Sequence, residues 1–383
     1  MSFADLGVSR PLCDALKRRG IARPFPIQEL VIGDVLAGHD VLVQSPTGSG
    51  KTLAFGVPMA QRLAHSDHAP AALVLVPTRE LALQIVEELD GAMQSRDLRI
   101  AAVYGGVGIQ KQAKRAARAH VIVATPGRLE DLLSRRALSL GDIRILVLDE
   151  ADRMLDLGFK PTVDRIVAMT PRARQTLFLS ATLEGAAGRQ AREYTRDPRR
   201  HAHQPAANDA GKVRHRFVHL SRDAKVAALM DELAHSERER TLVFVRTKRG
   251  ADRLARRLEK QRIQAVAMHG NRSQSQRQKA LAGFAQGDVD VLVATDVAAR
   301  GIDVDDITQV VNFDIPGDRD AYVHRVGRTA RAGRDGSAVS LVLPDQRADM
   351  RRMAASLGLS REFDGGRSIR PNGGSNRGGR RRP

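Results

Sequence analysis

The sequence predicts two parallel-sheet α/β domains in tandem, followed by a basic tail. Three observations carry that reading. Short apolar, β-branched runs alternate with stretches of helical character, which is how strands buried on both faces of a parallel sheet read. The alternation occurs in two series, separated by a polar stretch without apolar period from Arg199 to Lys212. Only the first series carries a phosphate-binding loop, Ser45-Pro46-Thr47-Gly48-Ser49-Gly50-Lys51-Thr52, set between an apolar run and a helix start. The expected boundaries are a first domain over 1–200, a linker over 201–212, a second domain over 213–360 and a disordered Arg/Gly-rich tail over 361–383.

Taken in order, residues 1–40 read as helical, with Leu6, Leu12, Leu16 and Ile21 on one apolar face. Pro24 and Pro26 then fix an extended turn that presents Gln28, whose amide can offer a donor and an acceptor to a base edge. The first series of strand-like runs is Val41–Val43, Leu73–Val76, Val121–Ala124, Ile145–Leu148 and Leu177–Leu179. The second is Phe217–Leu220, Leu242–Val245, Ala265–Met268, Val291–Ala294, Gln309–Phe313 and Ala338–Leu343. Beyond about Ser360 the chain turns to Gly, Arg, Asn and Ser, from which no core forms.

Composition narrows the partner. The chain has 383 residues, too many for one ordinary core, and a net charge of +18, which points to a polyanion. Aromatic residues make up only 3% and Trp is absent, which disfavours a binder that stacks bases on aromatic platforms. A nucleic acid is therefore expected to be gripped by its backbone. The single Cys13 suits a reducing cytosol. No apolar run reaches transmembrane length and Met1-Ser2-Phe3-Ala4-Asp5 does not open a signal peptide, so a cytoplasmic location without membrane attachment is expected.

The chemistry centres on the loop. Gly48 and Gly50 let the backbone curl so that N–H groups face an anion, and the helix that starts there turns its positive end the same way. Lys51 supplies a charge for the outer phosphates and the Thr52 hydroxyl a ligand for Mg²⁺. Ser45 stands where the usual pattern has Gly or Ala, a small departure. Downstream, the run Ile145–Leu148 delivers Asp149-Glu150-Ala151-Asp152 at its carboxyl end, where parallel sheets bind ligands. Asp149 suits the metal, and Glu150 can take a proton from an attacking water.

With these motifs the chain resembles a bacterial-type DEAD-box ATP-dependent RNA helicase, from near residue 20 to Arg334. The resemblance implies two RecA-like domains, ATP and Mg²⁺ as cofactors, and RNA as partner. It places Gln28 in the adenine-reading segment, with Phe3 as an aromatic beside the adenine. Thr47, Gly48, Ser49 and Gly50 join the nucleotide contacts, as does Asp303 in the motif that runs Ala294 to Asp303. RNA contacts are implied for Pro77, Thr78, Arg79, Gly106, Thr125 and Arg128 in the first domain, and for His269, Gly270, Arg277 and Thr295 in the second. Ser180 and Thr182 would couple ATP state to unwinding. Arg328 and Arg331 would act as arginine fingers, and Ala330 stands where the family usually has Gly. The implied activity is RNA-dependent ATP hydrolysis with local separation of short duplexes. The alternatives are an ATP-gated RNA clamp or assembly platform with little unwinding, and a non-enzymatic RNA binder driven by the tail. A monomer acting within ribosomal or RNA-decay assemblies is the expected setting.

Overall fold

The computed structural model describes residues 1–46, 48–203, 211–234, 240–299, 304, 307–330 and 334–369. The chain divides into two compact units, Met1–Gln204 and Pro205–Pro383. The strands of the first are β1 (Val41–Gln44), β2 (Ala72–Leu75), β3 (Ile100–Val103), β4 (Val121–Ala124), β5 (Ile145–Leu148), β6 (Gln175–Ser180) and β7 (Arg199–Ala202). Those of the second are β8 (Val213–Leu220), β9 (Arg240–Phe244), β10 (Ala265–Met268), β11 (Val291–Ala294), β12 (Ile307–Asn312), β13 (Gly336–Val342) and β14 (Arg367–Ile369). The first sheet runs β3-β4-β2-β5-β6-β1-β7 and the second β10-β11-β9-β12-β13-β8-β14. Adding seven to each strand of the first order gives the second, so the units share one topology.

Strand periodicity builds the cores. In β1, Val41 and Val43 face one cluster while Leu42 faces another. The same split separates Val147 from Leu146 and Leu148 in β5, and Leu177 and Leu179 from Phe178 in β6. Each of these central strands therefore buries both its faces, under helices on either side, which is why they read as unbroken apolar runs. In the second unit Val243 and Val245 face one cluster, and Leu242 and Phe244 the other. All strand pairings are parallel, so the carboxyl ends of the strands in each sheet share one edge.

Two expected boundaries move. The polar stretch from Arg199 is not all linker: Arg199–Ala202 forms β7, an edge strand parallel to β1, and the His203 N–H donates to the Gln44 carbonyl at 2.9 Å. An edge strand needs no apolar run, so its sequence is polar. The second unit also continues past residue 360. Helix Ser360–Asp364 carries Phe363 into the core, edge-on to Phe217 at 5.3 Å and to His219 at 4.9 Å between centroids, and β14 pairs with β8. The rest of the expected tail, 370–383, lies outside the described residues. Phe363→Ala should therefore cost the second unit about 3–5 kcal/mol, read by denaturant unfolding. A truncation meant to remove only the basic tail belongs after residue 369, and an unchanged unfolding midpoint in Phe363→Ala would return Phe363 to the tail. No described helix is long and apolar enough to cross a membrane.

Candidate functional site

The phosphate loop joins β1 to helix Lys51–Arg62 at the carboxyl edge of the first sheet. The Ser45 N–H donates to the Ser180 carbonyl at 3.0 Å, which ties the loop to the end of β6. The Ser45 hydroxyl donates to Ser49 Oγ (2.7 Å), and Ser49 Oγ to the Pro46 carbonyl (2.9 Å), so Ser45 takes part in closing the curl. Lys51 Nζ donates to the Ser45 carbonyl at 2.9 Å and to the Pro46 carbonyl, which sets the ammonium inside that curl. Burial pulls the Lys51 amine below its ordinary value, opposed by the charges of Asp149, Glu150 and Asp152. Gly50 has φ +87°, and a Cβ there would stand 2.5 Å from the Phe25 ring and 2.7 Å from Gln28 Nε2. Only glycine fits. Gln28 is buried against the loop: its Nε2 donates to the Gly50 carbonyl and its Oε1 accepts from the Phe25 N–H, both at 2.9 Å. One N–H and one lone pair of the amide remain for a base.

One nucleotide-contact expectation, an open ring at Phe3, differs from what the structure places there. Phe3 is 3% exposed and packs in the core with Val8 and Leu12, so it is no open platform. The exposed ring beside Gly50 is Phe25, at 56%. Thr47 lies outside the described residues.

Across the edge, Asp149 follows β5 directly, its N–H bonded to the Leu75 carbonyl at 3.0 Å. Burial pushes its carboxyl up to about 6, against the pull of Lys51, so this carboxylate gains from a cation. Glu150 adopts a left-handed backbone, φ 50° and ψ 48°, a strained conformation that persists where surroundings dictate it. Its Oε2 is buried without a hydrogen-bond partner and sits 3.7 Å from Arg153 Nε, whose own Nη1 is likewise unpartnered. A buried carboxylate oxygen that has an ion-pair partner but accepts no hydrogen bond fits a proton acceptor awaiting a water. Among the described residues no group of three or more His, Cys, Asp or Glu could hold a metal alone. One carboxylate and one hydroxyl, Asp149 and Thr52, fit Mg²⁺ instead, an ion that keeps waters and shares substrate phosphates.

Asp152 links this site to the next strand. Its Oδ2 accepts from the N–H groups of Ala181 and Thr182, both at 3.1 Å, and from Thr182 Oγ1 at 3.4 Å. Ser180 Oγ in turn donates to the Thr182 carbonyl at 2.5 Å. Ser180 and Thr182 are legible in the sequence, whereas the parts played by Asp152 and Arg153 are not. The available signal was an acid in the first helical turn after a strand, poised to accept from a neighbouring loop.

Residues 25–189 match the family model described as DEAD/DEAH box helicase, and residues 224–333 match that described as helicase conserved C-terminal domain. The chain belongs to the DEAD/DEAH box helicase family. It is an enzyme of that family, an ATP hydrolase. It is 40% identical over 348 residues to the ATP-dependent RNA helicase CshA of Limosilactobacillus reuteri, covering 90% of this chain and 70% of that protein. Identity to the CshA of Listeria monocytogenes is 39% over 350 residues, 91% of this chain and 67% of that one. Among solved structures, Saccharomyces cerevisiae Dbp5 bound to RNA and ADP BeF3 aligns with a TM-score of 0.82 at 28% identity, covering 96% of this chain and 95% of that one.

In this helicase the first-unit residues expected at RNA lie along the same edge of the sheet, at the carboxyl ends of β2, β3 and β4, with β5 and β6 between them and the strand that carries the nucleotide loop. Pro77 precedes Thr78, which caps helix Arg79–Gln94 by accepting from the Leu81 N–H at 3.2 Å. The Arg79 guanidinium packs over the Gly105-Gly106 turn: Gly106 has φ +90°, and a Cβ there would lie 2.3 Å from Arg79 Nη1. Thr125 heads helix Pro126–Ser134, from which Arg128 donates to the Val107 carbonyl and to Gln112 Oε1, both at 3.0 Å. In the second unit His269 Nε2 meets Asp252 Oδ1 at 2.9 Å, Gly270 adjoins Lys248, Arg277 is buried in helix Gln274–Gln286, and the Thr295 carbonyl accepts from the Ala298 and Ala299 N–H groups. Arg325 is locked: it makes a two-bond fork to Asp296 at 2.6 and 2.7 Å and donates to Asn312 and to the Asp314 carbonyl. Arg328 is 4% exposed, with Nε donating to the His324 carbonyl at 3.3 Å. Ala330 has φ 56°, the left-handed region that glycine would occupy without strain. Arg331 and Asp303 lie outside the described residues.

Proposed function

We propose that the chain is an ATP-dependent RNA helicase that grips RNA across both units, separates short duplexes locally as ATP draws the units together, and hydrolyses ATP to release the product. The observation that carries this reading is the Asp152 link. One carboxylate group inside the nucleotide site holds the Ala181 and Thr182 backbone, so a change in one is felt in the other. Lys51 meets the outer phosphates, the Gly48 and Gly50 region supplies backbone donors, and Gln28 orients the adenine. Thr52 and Asp149 hold Mg²⁺, which would neutralise charge gathering on the phosphate oxygens. Glu150 takes the proton of the attacking water. Arg328 and Arg331, with Asp303, join the site from the second unit. RNA and ATP then favour the same closed state, and their binding is reciprocally coupled.

The test is strand release from a short RNA duplex with and without ATP. ATP-dependent release supports the reading, whereas ATP-dependent retention of RNA without release makes the protein a clamp. RNA should also be preferred over DNA. Thr, Gly and Arg at strand ends reach phosphates and sugars, and the 2′-OH is what separates the two polymers at such contacts. Single-stranded RNA should stimulate ATP turnover strongly and DNA of equal length weakly, measured by phosphate release. Equal stimulation would make this a DNA-tracking enzyme. The setting we propose is the cytoplasm, as a monomer acting on ribosomal or RNA-decay assemblies; the unpaired Cys13 suits a reducing compartment.

A further inference from the structure

The second unit holds a cavity of about 430 Å³ that none of the roles above uses. It opens where β8, β9, β12 and β13 end. By strand order these correspond to β1, β2, β5 and β6, the strands that lead into the phosphate loop, Thr78, Asp149 and the Ser180 turn of the first unit. The correspondence reaches individual side chains. Lys225 opens helix Lys225–Ala234 after β8, as Lys51 opens its helix after β1. Thr247 caps helix Lys248–Glu259 after β9 by accepting from the Gly250 N–H at 3.0 Å, as Thr78 caps its helix after β2. Asp314 follows β12, as Asp149 follows β5.

The chemistry has diverged. Four residues, Ser221-Arg222-Asp223-Ala224, join β8 to its helix, and none is a glycine, so no loop can curl around a Mg²⁺-bound triphosphate. Lys225 Nζ instead donates to Asp314 Oδ1 at 2.6 Å and lies 4.5 Å from the centroid of Phe313, while the Arg246 N–H donates to Asp314 Oδ2 at 2.9 Å. Asp314 is thereby neutralised; burial alone would raise its carboxyl, but these donors hold it below its ordinary range. Among the described residues it is the only carboxylate lining the cavity, against five cationic side chains: Arg222, Lys225, Arg246, Arg253 and Arg257. None of the four arginines is held in an ion pair among the described residues, and all four are exposed. Val226, Leu254, Leu343 and the Phe313 ring give the cavity an apolar floor. Guanidinium forks at a mouth match phosphate oxygens, and an apolar floor of this volume accepts a small flat body.

We propose that this cavity is a second anion site, which takes a small phosphorylated ligand of the nucleoside monophosphate class without Mg²⁺. The phosphate is held by the arginines of the rim and the body rests on Leu254, Leu343 and Phe313.

The test uses the full chain carrying Lys51→Ala, which silences the first-unit site, in buffer free of divalent ions. Calorimetric titration with adenosine monophosphate should give one site per chain, and adenosine, lacking the phosphate, should give none. Arg253→Ala with Arg257→Ala should weaken the monophosphate by about 10-fold or more, and Arg222→Ala, from a different segment, should weaken it too. Both sites of change are exposed, so the thermal midpoint should hold. The proposal is overturned if the monophosphate fails to bind at about 1 mM, or if binding survives the arginine substitutions. It is equally overturned if those substitutions weaken a ten-nucleotide RNA and leave the monophosphate untouched, because the rim would then be an extension of the RNA path.

Discussion

Glu150→Gln should leave ATP binding intact and slow RNA-stimulated hydrolysis by ~10²–10⁴-fold. The amide keeps the shape of the side chain and loses the ability to accept a proton. Geometry favours this residue over its neighbours. Asp149 is fully buried and already accepts from the Glu150 N–H at 2.9 Å, and Asp152 is committed to Ala181 and Thr182. Glu150 alone of the three has a buried oxygen without a hydrogen-bond partner, and a left-handed backbone aims it. Lys51→Ala gives the contrasting result. It removes a charge that three carboxylates hold in place against burial, so nucleotide affinity should fall, whereas Glu150→Gln should spare it. Nucleotide titration together with single-turnover hydrolysis separates the two. Wild-type turnover in Glu150→Gln would remove Glu150 as the base and leave water activation to the metal alone.

The central strands were legible because burial on both faces forces an apolar run, as in Val121–Ala124 and Val291–Ala294. The three strands that sequence reading missed, β3, β7 and β14, all lie at sheet edges. Ile100–Val103 is half-buried over most of its length and has two alanines at its centre, a weak strand signal, while Arg199–Ala202 is mostly exposed and did not have to be apolar. Their place is set by backbone pairing, which leaves no trace in side-chain pattern. Phe363 was hidden for a related reason: one buried ring in a charged, glycine-rich stretch is outweighed by its surroundings. At the site, the residues of the phosphate loop and of the Asp149 turn were legible because chemistry restricts both type and spacing there. Which of the two aromatics is exposed was not legible, because that depends on packing: Phe3 finds Val8 and Leu12, while Phe25 stands at the start of a helix with its ring beside Gly50. The role of Asp152 was not legible, because the Ala181 and Thr182 N–H groups on its oxygen come from some thirty residues away in sequence.

Arg328→Ala should slow RNA-stimulated ATP hydrolysis by ~10³-fold or more, the scale on which a guanidinium supplied to a transferring phosphoryl group acts. The side chain is buried and its Nε is spent on the His324 carbonyl, at the C-terminal end of helix Arg319–Val326. Loss of packing is therefore a rival explanation for any loss of activity. Arg328→Lys separates the two: it keeps the charge and most of the stem but has no planar fork. A finger role predicts that both variants lose turnover at an unchanged thermal midpoint, and that Arg325→Lys behaves differently. Arg325 is tied to Asp296, Asn312 and Asp314, so its replacement should lower the midpoint first, by leaving a buried network unpaired. ATP affinity without RNA should hardly change in Arg328→Ala, because the phosphate loop and Gln28 belong to the first unit. Near-normal turnover in Arg328→Ala would refute the finger. A fall in turnover matched by an equal fall in thermal midpoint, and restored by lysine, would make Arg328 a packing residue of its helix end and pass the charge-stabilising role to Arg331.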